Sequence, residues 1–267
     1  MMAAQTAAAP AAMPSQPNGP TWPDPVTGLE FVWIAQGCFQ MGSAQGDGDE
    51  EPIHAVCLRG FWMGQHEVNQ LAWQRVMGEV ANPSRFQKGG DYPLDSIAWT
   101  VAQQFIQRLN ARSRYRFRLP TEAEWEYGCR AGSQTPFQFG NAIHSGQANF
   151  NGEQDLGNGP QGRYVGSTLP VGSFAANRFG LFDMHGNVYE WVEDVYREKY
   201  YQESPRNNPL AAPVAADQKG VIQRVLRGGA WYSSPHHLRC AARYGGDETQ
   251  RDHGRGFRLV REPEVPF

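Results

Sequence analysis

Apolar and polar residues alternate along "GLEFVWIAQGCFQMGS" (28–43), and the run stops at glycine and serine. A period of two places one set of side chains on a buried face, so this stretch predicts a strand pair or a strand with a turn. "GDGDEEPIHAVCLRGFWMGQHEV" (46–68) opens with the acidic run Asp47, Asp49, Glu50 and Glu51, then passes through two short strand-like stretches. The acidic run lacks the ligand spacing of an EF-hand and reads as a solvated loop.

The period then changes. Asn69 precedes "QLAWQRVMG", a short helix stopped near Gly78. In "DSIAWTVAQQFIQRLNARS", Ala98, Ala102, Phe105, Ile106 and Leu109 share one helical face. "LPTEAEWEYGCRAG" predicts a third helix, with Thr121 as N-cap, Glu124 completing a capping box and Gly132 as the stop. Glu122, Glu124 and Glu126 invite a catalytic reading, but their place in the first turns is explained by capping and the helix dipole. Beyond residue 133 helical periodicity fades. "FGLFDMHGNVYEWVEDVY" (179–196) is an aromatic strand-and-turn segment, "ESPRNNPLAAPVAADQKG" (203–220) a loop, and "RVLRGGAW" and "RGFRLVRE" two core strands. Few helices, many short strands and long loops imply one α+β domain over residues 28–267, behind an Ala/Pro-rich flexible tail at 1–27.

Composition narrows the function classes. The 267 residues suffice for a sizeable core, and a net charge of −3 argues against a nucleic-acid partner. No run approaches the roughly 18 apolar residues of a membrane span. The N-terminus lacks a basic region followed by an apolar core, so the expected compartment is the cytoplasm. Thirty Gly, 19 Pro and eight Trp suit irregular backbone with aromatic anchors. Cys38, Cys57, Cys129 and Cys240 form no CxxC pair, and the expectation is reduced, buried thiols, with spatial pairing left open.

"FVWIAQGCFQMGS", "RLPTEAEWEYGCRAG", "FGLFDMHGNVYEWVED", "RVLRGGAW" and "GFRLV" follow one another in the order seen in formylglycine-generating, sulfatase-modifying enzymes and their relatives. The resemblance spans about residues 28–262 and implies an elaborated C-type-lectin-like fold. The formylglycine generators hold Cu(I) through two cysteines just after the RGG turn, as soft thiolates suit that ion. Trp231 to Arg239 contain no cysteine, so copper is not expected. An iron-binding relative would need an N-terminal helical domain, for which about 27 residues are too few. Adjacent His236 and His237 would diverge on a strand, although Asp252 and His253 could join them on folding. A metal-dependent oxidoreductase is therefore the alternative reading.

The C-terminal stretch is most similar to the variable proteins of diversity-generating retroelements, in which changeable positions alternate with fixed ones. Arg227, Gly228, Gly229, Trp231, Pro235, Arg239, Ala241, Arg243, Arg251, Gly256, Phe257 and Arg258 match the fixed pattern; Ala230 and Glu248 depart from it. The resemblance makes Tyr232, Ser233, Ser234, His236, His237, Tyr244, Gly245, Gly246, Asp252, His253 and Gly254, with Trp231, candidate ligand-binding residues for an unknown protein, peptide or small molecule. Tyr, Ser and Gly also suit a paratope, pairing rigid amphipathic contact with adaptable hydrogen bonding. No catalytic residue is assigned. The resemblance further implies a structural Ca²⁺ held by Asp183, Gly186, Val188 and Glu190, with Asn187 shaping the turn. Two core strands flanking the C-terminal stretch should place Tyr232, His236, His237, Tyr244, Asp252 and His253 on one exposed face.

Overall fold

The computed structural model describes residues 19–154, 162–212 and 220–264. In chain order the elements are β1 (Thr21–Pro23), β2 (Glu30–Ile34), β3 (Gly37–Met41), β4 (His54–Leu58), β5 (Phe61–Gly64), α1 (Gln70–Met77), α2 (Trp99–Asn110), β6 (Phe117–Arg118), α3 (Glu122–Arg130), β7 (Tyr189–Val195), β8 (Gln223–Arg227), β9 (Tyr244–Asp247), β10 (Arg255–Phe257) and β11 (Val260–Arg261). A five-stranded sheet runs β1-β2-β5-β11-β6, a four-stranded sheet β10-β7-β8-β9, and β3 and β4 form a hairpin. All pairings are antiparallel except β10 with β7.

The helix ends follow local chemistry. Asn69 Oδ1 accepts from the Ala72 amide at 2.8 Å, and Gly78, at φ 63°, closes α1 by donating to Gln74 O. Ala102, Phe105, Ile106 and Leu109 of α2 are buried. Trp73 of α1 stacks on Phe105 at 6.0 Å, and Phe257 meets Phe105 edge-on at 5.5 Å. This core continues through Phe31, Phe117, Trp191 and Leu226. A second core gathers Trp125 and Cys129 of α3 with Val32, Ile34, Met63, Val192, Val225 and Val260. Each fully buried side chain of this size contributes about 1.5–3 kcal/mol by leaving water.

Several expectations need correction. The cysteines are not free thiols: Cys38 bonds Cys57 across the β3–β4 hairpin, and Cys129 bonds Cys240 across 111 residues. The assigned tail is too long at its inner end. Thr21–Pro23 pair with β2, and Asp24 Oδ2 accepts from the Thr27 amide and hydroxyl, so residues 19–27 belong to the domain. Residues 1–18, 213–219 of the expected loop and 265–267 lie outside the described residues. The acidic run is not simply solvated: Gly48–Glu50 form a 3-10 turn, with Asp49 and Glu50 buried. Glu124 caps α3 as expected, with Arg118 also forked onto it, but dipole placement does not explain Glu122 and Glu126. Both are buried acceptors for arginines from the C-terminal stretch.

Candidate functional site

Four buried arginines position the C-terminal stretch. Arg227, at the end of β8, donates through Nη2 to Glu126 Oε2 (2.5 Å) and Cys240 O (2.6 Å), and through Nη1 to Ala241 O (3.0 Å). Arg239 forks onto Glu50 at 2.6 and 2.7 Å. Arg243 forks onto Glu122 at 2.6 and 3.0 Å and also reaches Asp49 O. Arg258 forks onto Glu190, with both contacts at 2.6 Å. Burial alone would oppose ionisation of Glu126, but the Arg130 and Arg227 guanidiniums overcome it and hold its pKa below the ordinary value. The forked, short contacts give these ion pairs the close geometry that burial demands, and they tie the segment to α3, to the 47–51 loop and to β7.

Arg239 and Arg243 share the inward direction, but not because they lie on a strand. Pro235–Leu238 form a 3-10 turn, and regular pairing resumes only at Tyr244. β8 and β10 share a sheet as expected, separated by β7, and the residues between them emerge together.

There they build an open cleft of about 350 Å³ lined by Gln154, Tyr189, Tyr232, Ser233, Ser234, His237, Tyr244, Asp252 and Arg255. Tyr232 donates its hydroxyl to Asp252 Oδ1 at 2.6 Å, and that oxygen also accepts from the Gly254 amide at 2.9 Å. Burial first, then the bond to Asp252, pushes the Tyr232 phenol above its usual pKa. Tyr189 and Tyr244 face each other with ring centroids 5.7 Å apart. His237 is exposed, and burial of part of its ring, followed by the neighbouring His236, lowers its pKa.

Six expected ligand-binding residues therefore meet in one cleft: Tyr232, Ser233, Ser234, His237, Tyr244 and Asp252. The other six are placed differently. His236 turns to Asp47, with Nε2 3.0 Å from its Oδ2. His253 packs on Trp231 and Tyr232, both at 5.5 Å. Trp231 is buried behind the cleft, stacked on Tyr164 at 5.8 Å and met edge-on by Phe86 at 5.5 Å. The glycines have little freedom to change. A Cβ on Gly245 would lie 2.7 Å from the Tyr196 ring, one on Gly246 2.8 Å from Trp191, and one on Gly254 2.5 Å from Tyr232. The single-face expectation thus holds for four of its six side chains. His236 and His253 flank that face.

Tyr189 and Arg255 were not singled out from sequence, because both sit in motifs that read as core strand, "NVYEW" and "RGFRLV". The available signal was position: each is the first residue of its strand, where a side chain can leave the core.

Of the expected calcium ligands, Glu190 is already paired with a cation. Both Glu190 oxygens are held by Arg258, and Oε2 also accepts from Trp125 Nε1 at 2.8 Å. Asp183 Oδ2 accepts from the Gly172 amide at 2.6 Å, and burial raises its pKa to about 6. Gly186 lies at φ 82° with its amide donating to Gly228 O, and Val188 is buried. As arranged, the Arg258 guanidinium is the cation that Glu190 pairs with. His236, His237, Asp252 and His253 fail to converge. Among the described residues, metal-type side chains cluster only as Cys129, His185 and Cys240, and as Asp47, Asp49 and Glu50. The first group has its sulfurs in a disulfide, and the second has Glu50 committed to Arg239.

Residues 20–263 match the sulfatase-modifying factor enzyme 1-like domain. The chain is 32% identical over 256 residues to the serine/threonine-protein kinase pkn1 of Chlamydia caviae, covering 87% of this chain but only 38% of that protein. It is 29% identical to the formylglycine-generating enzyme of Mycobacterium tuberculosis, over 88% of this chain and 98% of that enzyme. Among solved structures, PvdO from Pseudomonas aeruginosa superposes with a TM-score of 0.78 at 28% identity, covering 95% of this chain and all of that one. The Treponema denticola variable protein 1 follows at 0.76 and 24% identity, covering 93% and 100%. The expected fold, α+β and C-type-lectin-like in the formylglycine-generating manner, is the one observed.

Proposed function

The chain belongs to the sulfatase-modifying factor enzyme 1-like family, and on that premise we propose that it is a ligand-binding module whose cleft carries recognition, without copper oxidase chemistry. The observation that carries this reading is the division of labour in the C-terminal stretch. Arg227, Arg239, Arg243 and Arg258 are spent on buried carboxylates. Tyr232, Ser233, Ser234, His237, Tyr244 and Asp252 line the cleft. A scaffold locked from inside tolerates change on its outer rim, so a variable binding surface suits it, with Tyr244, Ser234 and His237 the positions most free to vary. The glycines at 245, 246 and 254 belong to the scaffold in this reading.

Copper would need a thiolate pair, and all four cysteines are in disulfides. Two disulfides also favour an oxidising compartment over the cytoplasm first expected. No described helix is long and apolar enough to cross a membrane.

The test is a thermal-shift screen of small molecules and short peptides on the wild-type chain and on Tyr244→Ala. The reading predicts hits that vanish in Tyr244→Ala while its unliganded melting point is kept. Hits that persist in that variant would place recognition elsewhere. Copper-dependent conversion of a sulfatase-type cysteine peptide would return the chain to the enzymes of its family.

A further inference from the structure

We propose that the cleft takes a small aromatic carboxylate, its monoanionic group held by Arg255. This rests on the cleft being the binding site and names the class of ligand. Among the arginines near the C-terminus, exposed Arg251 apart, Arg224, Arg227, Arg239, Arg243, Arg258 and Arg261 each have a carboxylate within 4 Å. Arg255 has none among the described residues. Its Nη1 is closed off from water without a hydrogen-bond partner, and its guanidinium lies 5.4 Å from the centroid of the Trp191 ring. It also lines the cleft. A guanidinium at the cleft wall with no carboxylate within 4 Å is a charge that a ligand can pair, and its planar fork matches a carboxylate in two parallel bonds.

Asp252 is the other charge of the cleft, and its demand is better met. Its Oδ1 accepts from the Tyr232 hydroxyl and the Gly254 amide, and its Oδ2 lies 3.6 Å from His253 Nδ1. It offsets Arg255, so the cleft carries no formal excess charge when His237 is neutral. Such a site accepts one negative charge beside the guanidinium but resists the second charge of a phosphate ester, which would face Asp252. No lysine lines the cleft to compensate.

The body of the ligand follows from the walls. Tyr189, Tyr232 and Tyr244 present rings, and Ser233 and Ser234 present polar edges. About 350 Å³ fits one ring and a short chain, at the small end of ligand sites. Ring-on-ring contact, with the carboxylate directed to Arg255, uses both kinds of wall at once.

The test measures binding of N-acetyl-tyrosine, N-acetyl-tyrosinamide and phenyl phosphate by calorimetry and NMR, with wild type, Arg255→Gln, Arg255→Lys and Tyr244→Ala. The expected result is saturable binding of the acid at millimolar concentration or below. The amide and phenyl phosphate should bind at least about tenfold more weakly, and both Arg255 variants should lose the acid by a similar factor. Arg255→Lys keeps the charge, so its loss reports the fork. The probe comparison uses wild-type protein alone and stands even if an Arg255 variant misfolds. Equal binding of acid and amide, tighter binding of phenyl phosphate, undiminished binding by Arg255→Gln or no saturable binding of the acid would each overturn the proposal. Screening hits that depend on Tyr244 but ignore the carboxylate would leave the ligand-binding reading intact while removing this one.

Discussion

Replacing Arg239 by methionine tests whether the inner arginines hold up the C-terminal stretch. Arg239 is 7% exposed and Glu50 is fully buried. The fork between them spans 189 residues of sequence and fastens the Pro235–Leu238 turn to the 47–51 loop. Methionine keeps much of the aliphatic volume but removes both charge-assisted bonds and the donation from Nε to His236 O. Glu50 would then retain only the Asp47 amide, 3.1 Å away, and would stay buried as an uncompensated anion. Stranding one member of a buried pair costs about 3–5 kcal/mol. For a chain of this size that lowers Tm by roughly 10 °C. Urea unfolding with disulfides intact gives the free energy, and differential scanning calorimetry gives Tm. The double variant Glu50→Gln/Arg239→Met should recover part of the loss, because a neutral amide is far cheaper to bury than an unpaired carboxylate. A cost below about 1 kcal/mol for Arg239→Met, or no recovery in the double variant, would refute the reasoning.

Other outcomes follow from the same structure. Tyr244, 46% exposed, should tolerate alanine within about 0.5 kcal/mol, whereas Tyr232→Ala should cost about 1 kcal/mol or more in urea unfolding, because it removes the bond to Asp252 and a half-buried ring. Removing Cys129–Cys240 should destabilise more than removing Cys38–Cys57, by about 5 against about 3 kcal/mol on loop entropy for separations of 111 and 19 residues. Burial lowers the His185 pKa to about 4. The unfolded state therefore binds its proton first, and stability falls as pH drops from about 6.5 toward 4. Burial, then Glu122, raises Asp194 to about 7, so its contribution is lost as pH rises from about 4 toward 7. Between pH 5 and 6, His185→Gln should lower the slope of stability against pH and Asp194→Asn should raise it, each by up to about 1.4 kcal/mol per unit.

The sequence by itself determined what depends on near neighbours in the chain. Asn69 and Thr121 cap the helices they precede, because a cap bonds an amide two or three residues away. The apolar face of α2 is legible because 3.6-residue periodicity is a local property. The five ordered motifs carried the fold, since they mark the strands and turns around which the two cores close. Only the tertiary structure decided what depends on partners distant in sequence. Glu122 and Glu126 read as dipole-favoured residues until Arg227 and Arg243 arrive from more than a hundred positions away. Glu50 reads as solvated until Arg239 covers it, and Glu190 carries no sign in sequence of Arg258, which binds both its oxygens. The cysteines read as thiols until folding brings Cys129 to Cys240. A carboxylate or a thiol carries no mark of its partner, because charge pairing and disulfide bonding act through space. For the same reason, nothing in the sequence sets Arg255 apart from Arg258, whose carboxylate partner Glu190 lies 68 positions away, whereas Arg255 has no carboxylate beside it among the described residues.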